Sequence, residues 1–156
     1  MVDVITMDQA LAAVDASVNK AKSMRVPVVV TVVDAGGHVI VQQRMDKAML
    51  ISIRISQKKA ETSALSFLTT DSFAPRSTPG AELYGIQESS CGDIIVFGGG
   101  FPVRRNGDVI GAIGVSGGSV EEDMAIAKVG LEALESSSSE DAPVKKRPGR
   151  KPKVAK

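Results

Sequence analysis

Residues 97–123 read FGGGFPVRRNGDVIGAIGVSGGSVEED, and three signals inside them limit the architecture. Asn106-Gly107 is the dipeptide most favoured in a two-residue type I′ hairpin, so Phe101 to Arg105 and Val109 to Val115 are expected to be paired antiparallel strands. Ser119 with Glu122 is a capping box that opens a helix. Val120, Met124, Ala127, Leu131 and Leu134 then recur at helical spacing to about Glu135. Within the second strand, Val109, Gly111, Ile113 and Val115 share one face, while Ile110, Ala112, Gly114 and Ser116 share another that is nearly flat. A flat face admits a closely packed helix or a planar ligand.

Upstream, Asp93 to Phe97 (DIIVF) has strand composition and is expected to complete a three-stranded meander. Residues 81–87 read as a short helical stretch, preceded by a loop from Thr69 to Gly80 containing Pro75 and Pro79. The segment from about Ala48 to Leu68 is helical, with Leu50, Ile53, Ala60, Ala64 and Phe67 on one side and Ile51 and Ile55 on another. A helix apolar on two sides is expected to be sandwiched, and a second subunit is the expected cover.

Val26 to Asp34 (VPVVVTVVD) is a β-branched run of the kind covered on both faces. Asp34-Ala-Gly-Gly37 is turn chemistry, and His38 to Met45 returns as the second strand of a hairpin. Thr6 with Gln9 is another capping box, opening a helix over residues 7–24 whose stripe is Leu11, Val14, Val18 and Ala21. The order helix, two strands, helical insert, three strands, helix implies an α+β domain over residues 1–135, with a mainly antiparallel sheet and flanking helices.

Of the 156 residues, 19 are basic and 18 acidic, but the balance is uneven. Up to Val144 there are 12 basic and 18 acidic residues, a net charge of −6, whereas Lys145 to Lys156 holds seven basic residues and no acidic one. Residues 136–156 are Ser-rich and then basic, and are expected to form a disordered tail. Such a tail binds nucleic acid weakly, docks to an acidic partner, or solubilises. One cysteine, Cys91, excludes an internal disulfide and an all-cysteine metal site, and fits a reducing cytoplasm. No apolar run reaches the length of a membrane span. Aromatic residues make up 3% of the chain, which disfavours base-stacking platforms.

The candidate chemistry is sparse. Gly98-Gly99-Gly100 is either an amide nest for an anionic or carbonyl ligand or a sharp corner between strands. Gly114-Val-Ser116-Gly-Gly118 matches G-x-S-x-G, but a hydrolase needs an acid and a histidine after the serine, and the single histidine, His38, precedes it. The helix start at Ser119 carries Glu121, Glu122 and Asp123, which complement its dipole and repel phosphate. His38 beside its turn is a candidate ligand for a metal or for haem iron, a candidate acid or base, or a solvent-facing strand residue. Lys59 is a second acid or base candidate. Beyond that role for His38, no set of metal-ligating residues is read from the chain.

Several blocks resemble a known family: VVDAGGH at 32–38, KKAETS at 58–63, PGAELYGI at 79–86, FGGGFPV at 97–103 and GDVIGAIGVSGGSVEEDMAIA at 107–127. From about Val28 to Leu134 the chain resembles the GlcG/HbpS-like family of haem-binding-type domains, and within it the C-terminal domain of PduO-type corrinoid adenosyltransferases. None of the quoted blocks belongs to the adenosyltransferase domain, so corrinoid adenosylation is not expected from the resemblance. It implies a profilin-like fold with a five-stranded, mainly antiparallel sheet, and compact homo-oligomers, octamers among them. It also implies a cytoplasmic accessory protein that binds haem, a corrinoid or a small metabolite, in a propanediol- or glycolate-type pathway or at a bacterial microcompartment. The expected ligand contacts are His38, Gly98, Gly99, Gly100, Phe101 and Ser116. Two other readings stand beside this one. The first is an enzyme acting on a small hydroxy- or carbonyl metabolite through His38 or Lys59, with the glycine amides as an oxyanion site. The second is a scaffold that docks through its basic tail.

Overall fold

The structure, a computed structural model, describes residues 3–89 and 91–137. The expectations for the basic tail fall outside the described residues. Helix α1 (Met7–Met24) is followed by strands β1 (Val29–Asp34) and β2 (Val39–Arg44), helix α2 (Ile51–Ser66), a 3-10 turn (Thr70–Phe73) and the one-turn helix α3 (Ile86–Ser89). Strands β3 (Gly100–Arg105) and β4 (Asp108–Ser116) and helix α4 (Val120–Ser136) complete it. The strands form one antiparallel sheet in the order β2-β1-β4-β3.

Local chemistry accounts for most of these elements. Thr6 and Gln9 exchange reciprocal hydrogen bonds at the start of α1, and Ser119 and Glu122 do the same for α4, satisfying N–H groups that a helix start leaves unpaired. Asn106 and Gly107 both adopt positive φ, 51° and 90°, as a type I′ turn requires. β1 is buried on both faces along Val29–Val33. Val30 and Val32 join Ile113, Val115, Ile126 and Leu134 in the larger core under α1 and α4, and Val33 and Ala112 meet Ala60 and Ala64 beneath α2.

Three expectations are corrected. The sheet has four strands among the described residues, because Asp93–Phe97 forms no ladder. Its Ile95 N–H instead donates to Thr62 Oγ1 at 3.1 Å, folding the segment across α2. In α1, Val14, Val18 and Ala21 are buried as expected, but Leu11 is exposed.

The third correction concerns α2, where Ala60 and Ala64 are buried as expected but the larger apolar residues do not set the buried side. Ser52, Ser56, Lys59, Ala60, Thr62, Ser63 and Ala64 face inward, while Leu50, Ile51 and Phe67 are exposed. The cause lies in the sheet. Gly114 pairs with Thr31 on one side and Gly100 on the other, and a Cβ at Gly114 would strike the backbone oxygen of Ser56, while one at Gly100 would strike that of Lys59. Two glycines side by side let the α2 backbone settle onto the sheet, and only small or hydrogen-bonded side chains fit there. Thr31 Oγ1 and Ser56 Oγ accordingly share a hydrogen bond of 2.8 Å in that interface.

Candidate functional site

His38 stands at the turn joining β1 to β2, and Asp34 holds that turn together. Asp34 Oδ1 accepts from the backbone N–H groups of Gly36 and His38, each at 2.9 Å, and lies 3.2 Å from His38 Nδ1. Gly37 takes φ 82°, a left-handed conformation that glycine adopts without a Cβ penalty. Burial pushes the Asp34 carboxyl upward, but the two backbone donors and the imidazole outweigh it and hold its pKa below the ordinary 3.8. The carboxylate favours a proton on Nδ1, which leaves the Nε2 lone pair for a metal or a proton donor. The His38 side chain is 82% exposed, so a bulky ligand can approach it.

The turn rests on α2: the Cβ position of Gly37 is 3.6 Å from both Glu61 Cγ and Leu65 Cδ1. Leu65 and Glu61 also line a cleft of about 310 Å³ bounded by the 3-10 turn and the segment after Cys91.

Lys59 belongs to a different, closed environment. Its side chain has no exposed surface, and Nζ donates to Val115 O and Asp123 Oδ2, both at 2.8 Å, with the Phe97 ring centroid at 5.0 Å. Asp123 Oδ1 accepts from the Gly118 N–H at 2.9 Å. Burial lowers the Lys59 pKa and raises that of Asp123, and the contact between the two opposes both shifts. The ammonium–carboxylate form is the one in which these donors and acceptors match. Lys59, a candidate acid or base by sequence, is therefore sealed from any substrate in solution.

The glycine run wraps this ion pair and offers no open nest. A Cβ at Gly98 would lie 2.8 Å from Met124 Cγ, and one at Gly99 (φ 119°) 2.7 Å from Lys59 Nζ. The Gly100 N–H is already committed to Thr70 Oγ1 at 2.9 Å. Phe101 lies in the larger core, and Ser116 is buried under α2 with its Oγ 3.2 Å from Ser52 Oγ. The expected pocket wall of Gly98 to Phe101 and the flat face of β4 is thus filled by α2, Met124 and Lys59. The expected contacts do not converge: His38 lies at an exposed turn, whereas the glycine run, Phe101 and Ser116 are packed in the interior.

Sequence reasoning did not single out Asp123, which reads as one more acid complementing the α4 dipole, nor Asp34 as the partner of His38. Asp34 had a legible signal, since an aspartate opening a glycine turn commonly accepts from the backbone two residues on. The cleft residues Ser66, Phe73 and Ile94 carried no motif.

Known proteins share this arrangement. The chain is 46% identical over 115 residues to an uncharacterized 15.0 kDa protein of the dhaT-dhaS intergenic region of Citrobacter freundii, covering 74% of this chain and 81% of that protein. It is 42% identical over 119 residues to the corrinoid adenosyltransferase PduO of Salmonella typhimurium, a match spanning 76% of this chain but 35% of PduO. The crystal structure of a PduOC–haem complex superposes with a TM-score of 0.82 at 38% identity, covering 84% of this chain and 95% of that one. The family described as haem degrading protein HbpS-like matches residues 5–132, and the chain belongs to that family.

Proposed function

We propose that this protein binds haem, with His38 as the protein ligand to iron. The observation that carries the reading is a single imidazole in the whole chain, exposed and anchored through Nδ1 to Asp34. A carboxylate on the far ring nitrogen fixes the tautomer and raises the basicity of the ligating nitrogen, the usual support for a metal-bound histidine. The donor set therefore fits a haem axial ligand. Exposed Val39 beside the turn offers apolar surface to a macrocycle. Haem would supply redox-active iron, and His38, oriented by Asp34, would hold it. The PduOC–haem structure and the family description support the same ligand class, with a corrinoid or other small metabolite as the next candidates.

The reading extends to a homo-oligomer acting as a cytoplasmic accessory protein beside propanediol- or glycolate-type enzymes or at a microcompartment. Met49, Leu50, Ile51 and Phe67, exposed at the two ends of α2, are the surface a second copy would cover. No described helix is long and apolar enough to cross a membrane. Haemin titration of the wild type and of His38→Ala tests the ligand: a saturable Soret shift in the wild type that is lost or displaced in the variant is expected, and no shift in the wild type overturns the proposal. Native mass spectrometry of protein from its own source checks subunit number and retained ligand together.

A further inference from the structure

We infer that the cleft beside α2 is a second binding site, distinct from His38, that takes a small primary amine with an apolar body. Leu65, Phe73 and Ile94 supply its hydrocarbon surface, the usual lining of a small-molecule site. The polar groups around it are biased to one chemistry. The Thr62 hydroxyl donates to Asp93 O and accepts from the Ile95 N–H, and the Ser66 hydroxyl donates to Thr62 O. A hydroxyl has one proton to donate, so both are already committed as donors.

What remains at the cleft is carboxylate. Glu61 accepts from Gln57 Nε2 at 2.7 Å and from Lys58 Nζ at 2.6 Å, and Lys58 reaches Asp93 Oδ1 at 2.9 Å. One ammonium between two carboxylates leaves one net negative charge, and each carboxylate has lone-pair sites beyond those in use. A second ammonium, on the ligand, brings the cluster to neutrality. Its hydrocarbon portion enters between Leu65, Phe73 and Ile94. The Asp93 side chain is 64% exposed, so this carboxylate meets the ligand from the rim. Carboxylate ligands are excluded by the same charge, which separates this site from one for the acidic edge of a tetrapyrrole.

Benzylamine is a suitable probe, with benzyl alcohol as its neutral match, in titrations of the full chain followed through backbone amide resonances. Saturable shifts confined to Thr62–Ser66, Phe73 and Asp93–Ile95 are expected, with benzyl alcohol weaker by about tenfold for loss of one charge-assisted contact. Asp93→Asn, an exposed change that keeps the shape, is expected to weaken benzylamine by a similar factor, and Leu65→Trp to abolish the cleft response. Equal binding of the alcohol and the amine by the wild type overturns the inference, as does the absence of shifts at these residues; neither result depends on a variant folding. Haemin titration of Asp93→Asn is expected to match wild type, so failure of this site and failure of the His38 reading are distinguishable.

Discussion

Lys59 Nζ lies 2.8 Å from Asp123 Oδ2, tying the middle of α2 to the first turn of α4 from opposite faces of the sheet. The Val115 carbonyl completes the ammonium's contacts at the end of β4, and Gly99 leaves the space through which the side chain passes.

Removing one member of this pair strands the other charge in the interior. Asp123→Ala is expected to lose about 3 to 5 kcal/mol of stability, a fall in Tm of about 10 °C or more for a domain of this size. The double variant Lys59→Met, Asp123→Leu is expected to lie well above the sum of the single changes, because no orphaned charge remains. Thermal denaturation of the wild type, Lys59→Met, Asp123→Leu and the double variant checks this; additive losses would show that the pair is not coupled.

Gly114 is where α2 and the sheet come closest, with the Ser56 carbonyl over its Cα. Gly114→Ala places a methyl group against backbone on both Ser56 and Ala60, which cannot rotate away. A loss of about 1 to 3 kcal/mol is expected from such overpacking. Denaturant unfolding measures it, and an unchanged midpoint would mean that the helix sits farther from the sheet.

Asp34 is expected to contribute an acid-side pH dependence. Its pKa is lower in the folded chain than the unfolded value of 3.8, so the unfolded state binds more protons in that window. Its stabilisation is present above 3.8 and is lost as pH falls through the lower, folded value. Asp34→Asn is expected to flatten this part of the stability curve in acid titrations followed by circular dichroism, and to weaken haem binding by about 10- to 100-fold through the freed imidazole. A curve identical to wild type would contradict the turn's assigned role.

Local signals carried the sequence reading well. Asn106-Gly107, the two capping boxes and the Val29–Val33 run each specify a conformation within a few residues, and each is found. Asp93–Phe97 failed because strand composition does not name a ladder partner; the side chain of Thr62 takes the Ile95 N–H instead. The buried side of α2 failed for a related reason: the flat row of Ala112, Gly114 and Ser116 selects small residues above it. The spacing of Ser52, Ser56, Ala60 and Ser63, read against that row, was the available clue. Lys59 and Asp123 are 64 positions apart, and no local pattern links them. His38 stands out in the sequence because it is the single imidazole, whereas the residues lining the cleft are each ordinary in composition.

The single histidine makes one measurement decisive for the haem proposal. Untagged protein grown with ¹⁵N-histidine and loaded with ferric haem carries its imidazole label at His38 alone, so pulsed electron paramagnetic resonance can tell that nitrogen from the unlabelled pyrrole nitrogens. The account predicts an axial ¹⁵N hyperfine coupling in the wild type that disappears in His38→Ala; a haem-loaded wild type with no ¹⁵N coupling would contradict it.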